Sequence, residues 1–178
     1  MNFRYLLLSC AVSLAGFGVS SGLANGQESE EKNAISALGF LVGNWEGPGI
    51  SYAADGSQTG YHDTEFVRFD LDQKLLLINA AGKRDDGTIS YQLHTVIYYD
   101  AAAGHYVYTP YAGRTPRSFH CQLDETPKLL CLNADQNYRL TFQRLSNGAW
   151  NEFGERLEGG LWSKSFETIL HPVEEQAN

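Results

Sequence analysis

The sequence predicts an all-β fold: a closed antiparallel up-and-down barrel of about ten strands, with a short helix capping one end. Three observations carry that expectation. Turn-forming clusters such as Asp55-Gly56-Ser57, Asp85-Asp86-Gly87, Ser146-Asn147-Gly148 and Glu158-Gly159-Gly160 punctuate the chain at hairpin intervals. The segments between them are rich in β-branched and aromatic residues. After Val42 no stretch repeats its apolar residues at helical spacing over three turns. Closing such a meander removes both exposed edges of the sheet, whereas an open two-sheet sandwich, which carries the same local signals, leaves them.

Taken in order, residues 1–24 read as a secretory signal peptide. Arg4 is the charged start, Leu6 to Val19 the apolar segment, and Gly22-Leu23-Ala24 the small-residue cleavage site. The apolar run is too short for a membrane span, which takes about 20 residues, and no second one follows. The chain is therefore expected to be exported, periplasmic or secreted, with 178 − 24 = 154 residues remaining, enough for one domain with one core. Residues 25–33, with four charged side chains and no aromatic one, read as a disordered leader. From 34 to 172 runs the barrel, and 173–178 is a tail.

Within the barrel, Ile35, Leu38 and Leu41 share one face of a short capping helix over Ala34 to Val42. Gly43-Asn44-Trp45-Glu46-Gly47-Pro48-Gly49 opens the first strand, and Gly43, Gly47 and Gly49 leave room for backbone to pass close beneath the large Trp45 indole. Strands are expected over Trp45 to Tyr52, Tyr61 to Leu71, Lys74 to Gly82, Thr88 to Tyr99, His105 to Tyr111, Arg117 to Leu123, Lys128 to Asn133, Tyr138 to Leu145, Trp150 to Leu157 and Leu161 to Leu170. Leu75 to Ile78 is apolar on both faces, which fits either extra burial under neighbouring groups or a homodimer contact. Cys121 and Cys131 are equidistant from Thr126, beside Pro127, so a turn centred there sets the two sulfurs opposite each other across a hairpin. In an exported chain that pair is expected to form a disulfide.

The formal charge of −8 becomes −9 without Arg4, and no basic cluster offsets it. Nucleic acid and anionic membrane surfaces are therefore not expected partners. The chain has no Gly-x-Ser-x-Gly elbow, no phosphate-cradling glycine loop and no His-x-x-x-His pair. Among the histidines His94 stands out, because the strand face holding Ser90, Gln92, His94 and Tyr98 is polar and half aromatic, as a ligand-facing wall would be. Arg139 alternates with Thr141 and Gln143; if that face lines the interior, its guanidinium can hold a ligand carboxylate, and if not, it is an outer-wall residue. Glu152 and Glu155 fall on opposite strand faces and make a poor acid–base pair.

The Gly-x-Trp-x-Gly-x-Gly pattern over Gly43 to Gly49, its lead-in Leu38-Gly39-Phe40-Leu41-Val42 and the number of strands resemble the calycin-like barrels of lipocalin and fatty-acid-binding-protein type. The closest resemblance is to the nitrobindin-like barrels and their secreted bacterial relatives. It implies a barrel around a small apolar or amphipathic molecule, bound without catalysis; the strand patterns themselves offer Tyr91, Gln92, His94, Tyr98 and Arg139 as its candidate contacts. The nitrobindin-like barrels carry haem on a histidine of the last strands, and here the matching segment, Trp162 to Leu170, has none. No haem, other cofactor or metal is therefore expected. The alternatives are a barrel isomerase or cyclase using His94 with Tyr91 or Tyr98, and a structural or interaction barrel filled by its own side chains.

Overall fold

The computed structural model describes residues 21–113 and 115–173, with side chains from Gly26 onward. The expected signal peptide up to residue 20 and the tail from residue 174 lie outside the described residues. Helix α1 (Ser21–Ala37) runs into a 3-10 turn (Leu38–Leu41), and ten strands follow: β1 (Gly43–Tyr52), β2 (Gln58–Asp70), β3 (Leu75–Lys83), β4 (Ile89–Asp100), β5 (His105–Tyr111), β6 (Phe119–Leu123), β7 (Lys128–Asn133), β8 (Tyr138–Arg144), β9 (Trp150–Glu158) and β10 (Leu161–Pro172). Each strand pairs antiparallel with its neighbours in sequence, and β1 pairs with β10, so the sheet is a closed barrel and not a sandwich.

One expectation fails at the amino-terminal end. Residues 25–33, read as a disordered leader, continue the capping helix backwards through α1. The low apolar content of that stretch describes a solvated helix as well as a coil, because Ile35, Leu38 and Leu41 dock and supply the costly nucleus from which further turns add cheaply. Polar contacts then tie the helix to the β2–β3 turn: Lys32 pairs with Asp72 at 2.5 Å and Glu28 with Lys74 at 2.9 Å. Signal cleavage near Ala24 would fall inside this helix.

The core lies at the capped end of the barrel. Ile35, Leu38 and Leu41 enter between the strands against Val67, Leu76, Ile97 and Leu170. Trp45 is 3 % exposed; its Nε1–H donates to the Leu41 carbonyl at 2.8 Å, and its ring meets Trp150 edge-on at 5.7 Å. Arg144 covers the other side, 4.7 Å from the ring, and donates to the Phe40 carbonyl. Gly43, at φ 142°, passes close under the indole, while a side chain at Gly47 would strike the β10 backbone at Ile169. Leu77, on the outer face, is still only 6 % exposed, with Arg68 and Val96 beside it across the ladders. Long outer-wall side chains thus give the Leu75–Ile78 run its second burial.

In the β6–β7 hairpin Cys121 faces Cys131, their Cα atoms 3.9 Å apart, and the two are disulfide-bonded. Both are fully buried. Replacing the pair by serines is expected to lower stability by about 2–3 kcal/mol, the loop-closure value for a link of this length. Equilibrium urea unfolding checks this, and equal midpoints for variant and parent would contradict it.

Candidate functional site

The closed sheet leaves a cavity of about 400 Å³ in the half of the barrel away from the cap. It reaches the rim at Ala53, Thr59 and Arg156, all exposed. Volumes of about 300–1,000 Å³ are usual for small-molecule pockets. The walls are aromatic and aliphatic, with Tyr61, Tyr91, Tyr108 and Tyr138 alongside Ile78, Leu93 and Phe166.

Inward-facing glycines make room for these rings. A side chain at Gly49 or Gly82 would collide with Tyr61 or Tyr91, and one at Gly154 with Tyr138 and Phe166. Tyr61 and Tyr91 consequently pack edge to face at 5.6 Å. On β10 the pairing register shifts between Lys164 and Phe166, and the bulge turns both Ser165 and Phe166 into the cavity. Ser165 then meets the Tyr138 hydroxyl at 2.9 Å.

Two carboxyl groups, those of Glu65 and Glu152, stand among these apolar walls, and a third, that of Asp63, is buried near them. Asp63 and Glu65 come from β2 and Glu152 from β9, only 1 %, 6 % and 8 % exposed. Burial pushes all three up, because a charge in a poorly polarisable interior loses its hydration. Asp63 is pushed up to about 6, although hydroxyls of Tyr91 and Thr168 favour its ionised form. Glu152 is pushed up to about 8, by burial first and by Asp63 second. Glu65 is raised well above the usual carboxylate range by burial and by both neighbouring acids. A hydrogen bond between the Glu65 and Glu152 carboxyls, which requires a proton on one of them, contributes to both shifts. Thr168, near Asp63, also bonds the Tyr61 hydroxyl at 2.7 Å. One oxygen, Asp63 Oδ1, is buried with no hydrogen-bond partner. Among the described residues, no three His, Cys, Asp or Glu side chains are disposed to hold a metal ion.

Of the residues singled out from the sequence, Tyr91 lines this cavity. Gln92 and His94 face the other way, into an open groove of about 640 Å³ across the outer surface of β1 to β4. His94 Nδ1 meets Asn79 Oδ1 there at 2.6 Å. Tyr98 shares that outer face and is exposed. The inner face of β4 is the apolar one, Tyr91, Leu93, Thr95 and Ile97, because a barrel's interior doubles as its core. Residues 91 and 94 therefore lie on opposite faces, and a His94–Tyr91 acid–base pair has no geometry. Arg139 is on the outer wall, bonded to Glu155 at 2.5 Å and stacked 4.3 Å from the Trp162 ring. None of the five histidines borders the cavity.

Sequence reasoning passes over Asp63 and Glu65 and weighs Glu152 only against Glu155, although a faint signal for all three exists. Tyr61-x-Asp63-x-Glu65-x-Val67 places carboxyls on a face bounded by apolar residues, and Trp150-x-Glu152-x-Gly154 does the same on β9.

No protein-family model matches the chain, and no curated protein sequence matches it. Among solved structures it is similar to Rv2717c from M. tuberculosis, with a TM-score of 0.60 over 79 % of this chain and 98 % of that one, at 12 % identity. At that identity the likeness shows the barrel fold.

Proposed function

We propose that this chain is an exported, non-catalytic binding barrel that takes a small amphipathic molecule into its interior. The observation that carries the reading is the tyrosine-walled cavity reaching the rim at Arg156. A barrel filled by its own side chains would leave no such space. The Cys121–Cys131 bond supports export, since such bonds persist in oxidising compartments. Among the described residues no helix is long and apolar enough to cross a membrane. The reading includes no haem, and the absence of histidine from the cavity wall favours that.

A second reading rests on the Glu65–Glu152 pair. Two buried carboxyls sharing a hydrogen bond, with raised proton affinities in a cavity, are the equipment of acid–base catalysis. It replaces the His94-based isomerase or cyclase, whose histidine is on the outer wall. Turnover would require a substrate carbon or oxygen within proton-transfer reach of that pair.

Titration with the neutral fluorophore N-phenyl-1-naphthylamine tests the binding reading. A saturable one-site increase in emission is expected, and Ala80→Trp, which fills the space between Ile78 and Leu93, should weaken it by at least about tenfold. A saturable signal unchanged in that variant would put the probe elsewhere, and no saturable signal would remove the reading.

A further inference from the structure

Two buried carboxyls and several tyrosines line one cavity, and together they state what kind of molecule it suits. We propose that the ligand is an organic cation, a monoamine whose ammonium head sits against Glu152 and Glu65 while its aromatic or alkyl body lies among the tyrosines. This rests on the binding reading and specifies its substrate class.

Two acids, Glu65 and Glu152, line the cavity at only 6 % and 8 % exposure. An ammonium head offers these acceptors three N–H donors at once. A neutral alcohol offers one donor, and a carboxylate ligand offers none and adds negative charge to the cluster. Among the described residues the one cation lining the cavity is Arg156, which stands at the exposed rim where solvent screens it.

The walls fit the same class. Tyrosine faces attract a cation by about 0.5–2 kcal/mol each where water is excluded, and Tyr61, Tyr91 and Tyr108 all border the space beside the acids. Burying an ammonium is costly unless it is paired, and carboxyls already removed from water are the partners that offset this cost. A bare metal ion suits the site less, because it needs several converging ligands and no group of three forms among the described residues. The net charge of −8 draws cations toward the rim over long range.

Proton bookkeeping follows from the titratable groups lining the cavity: Tyr52 on β1, Glu65 and Tyr61 on β2, Tyr91 on β4, Tyr108 on β5, Tyr138 on β8, and Glu152 and Arg156 on β9, with Asp63 of β2 buried near them. With the cavity empty at neutral pH, most of Glu152 holds a proton. The ammonium favours the ionised form of Glu152, so a proton leaves Glu152 for the buffer as the cation enters. The charge added by the ligand is thereby balanced within the cavity.

Isothermal titration of the mature protein at pH 7 with tryptamine, tryptophol and indole-3-acetate tests this, since the three share one body and differ at the head. Tryptamine is expected to bind at least about tenfold more tightly than tryptophol, with proton release visible as a heat that varies with the buffer's ionisation enthalpy. In Glu152→Gln and Glu65→Gln that advantage should shrink to about threefold or less, and in Glu152→Gln the proton release should disappear. Both variants replace a carboxyl by its neutral isostere, and an unchanged thermal midpoint at pH 5 certifies their folding. Equal or tighter binding of tryptophol or indole-3-acetate would overturn the cation and leave the cavity standing. So would silence from all three indoles while N-phenyl-1-naphthylamine still binds. Silence from that fluorophore as well would remove the binding reading and the cation with it.

Discussion

Trp45→Ala is expected to cost about 3–5 kcal/mol, the range for deleting a fully buried aromatic side chain. The indole joins three parts of the molecule: the 3-10 turn through the Leu41 carbonyl, β9 through the edge-on contact with Trp150, and β8 through Arg144. Removing it opens a void in the core, leaves the Leu41 carbonyl without its side-chain donor, and frees an arginine that also ties β8 to Phe40. The cap itself is then held mainly by Ile35, Leu38 and Leu41. Urea unfolding followed by circular dichroism measures the loss. A midpoint unchanged from the parent would show that the cap and the barrel are held together elsewhere.

The second large effect is a fall in stability of the empty barrel as pH rises from about 5 to about 9. In the fold Glu152 keeps its proton until about pH 8, while the unfolded chain releases it near the ordinary glutamate value of 4.5. Between those limits the native state binds more protons than the unfolded one, so stability declines with pH. Below that window the group contributes no loss, and above pH 8 the loss is complete. At about 1.4 kcal/mol per pH unit of such a window, Glu152 alone gives a decline on the order of 4 kcal/mol. Glu65 and Asp63 act in the same direction. The exposed acids held below their ordinary values, Glu28, Asp55, Asp70, Asp72 and Asp86, have the opposite sign, with stability present above the ordinary value and lost only in stronger acid. They leave the window from 5 to 9 undisturbed. Urea midpoints at pH 5, 7 and 9 should fall for the parent and fall less for Glu152→Gln. A flat or rising parent profile would contradict the buried, protonated state of the acids.

Local signals carried the barrel well. The turn clusters placed ten strands, and the Cys121–Cys131 pairing followed from symmetry about Thr126, because register in a hairpin is set by its turn. The amino-terminal helix was legible only at Ile35, Leu38 and Leu41, since the residues before them are held by docking and by ion pairs with a turn distant in sequence.

The site was much less legible, for a reason particular to barrels. Alternation along a strand separates two faces without saying which is inside, and a polar face such as Gln92, His94 and Tyr98 has the composition of a pocket wall and of a wet surface alike. Here the apolar face is the inner one on β4 and β8, while β2 and β9 carry acids inward. Those acids are far apart in sequence and meet only because β2 and β9 come together across the closed barrel. No spacing rule along one strand brings Glu65 to Glu152. The β10 bulge adds a second concealment, since it sets neighbours Ser165 and Phe166 on one face against the period of two.

The inside-or-outside question is also the most direct test of the whole account. Methyl NMR during titration with N-phenyl-1-naphthylamine reads it, because ring currents shift only the methyl groups that the probe touches. Ile78 lines the interior cavity and not the outer groove, whereas the Ala81, Ala112 and Val173 methyls border the outer groove beside His94. Large, saturable shifts are predicted at Ile78 with the outer methyls nearly still. Shifts concentrated at Ala81, Ala112 and Val173, with Ile78 unmoved, would contradict the account and move the binding surface to the outside of the barrel.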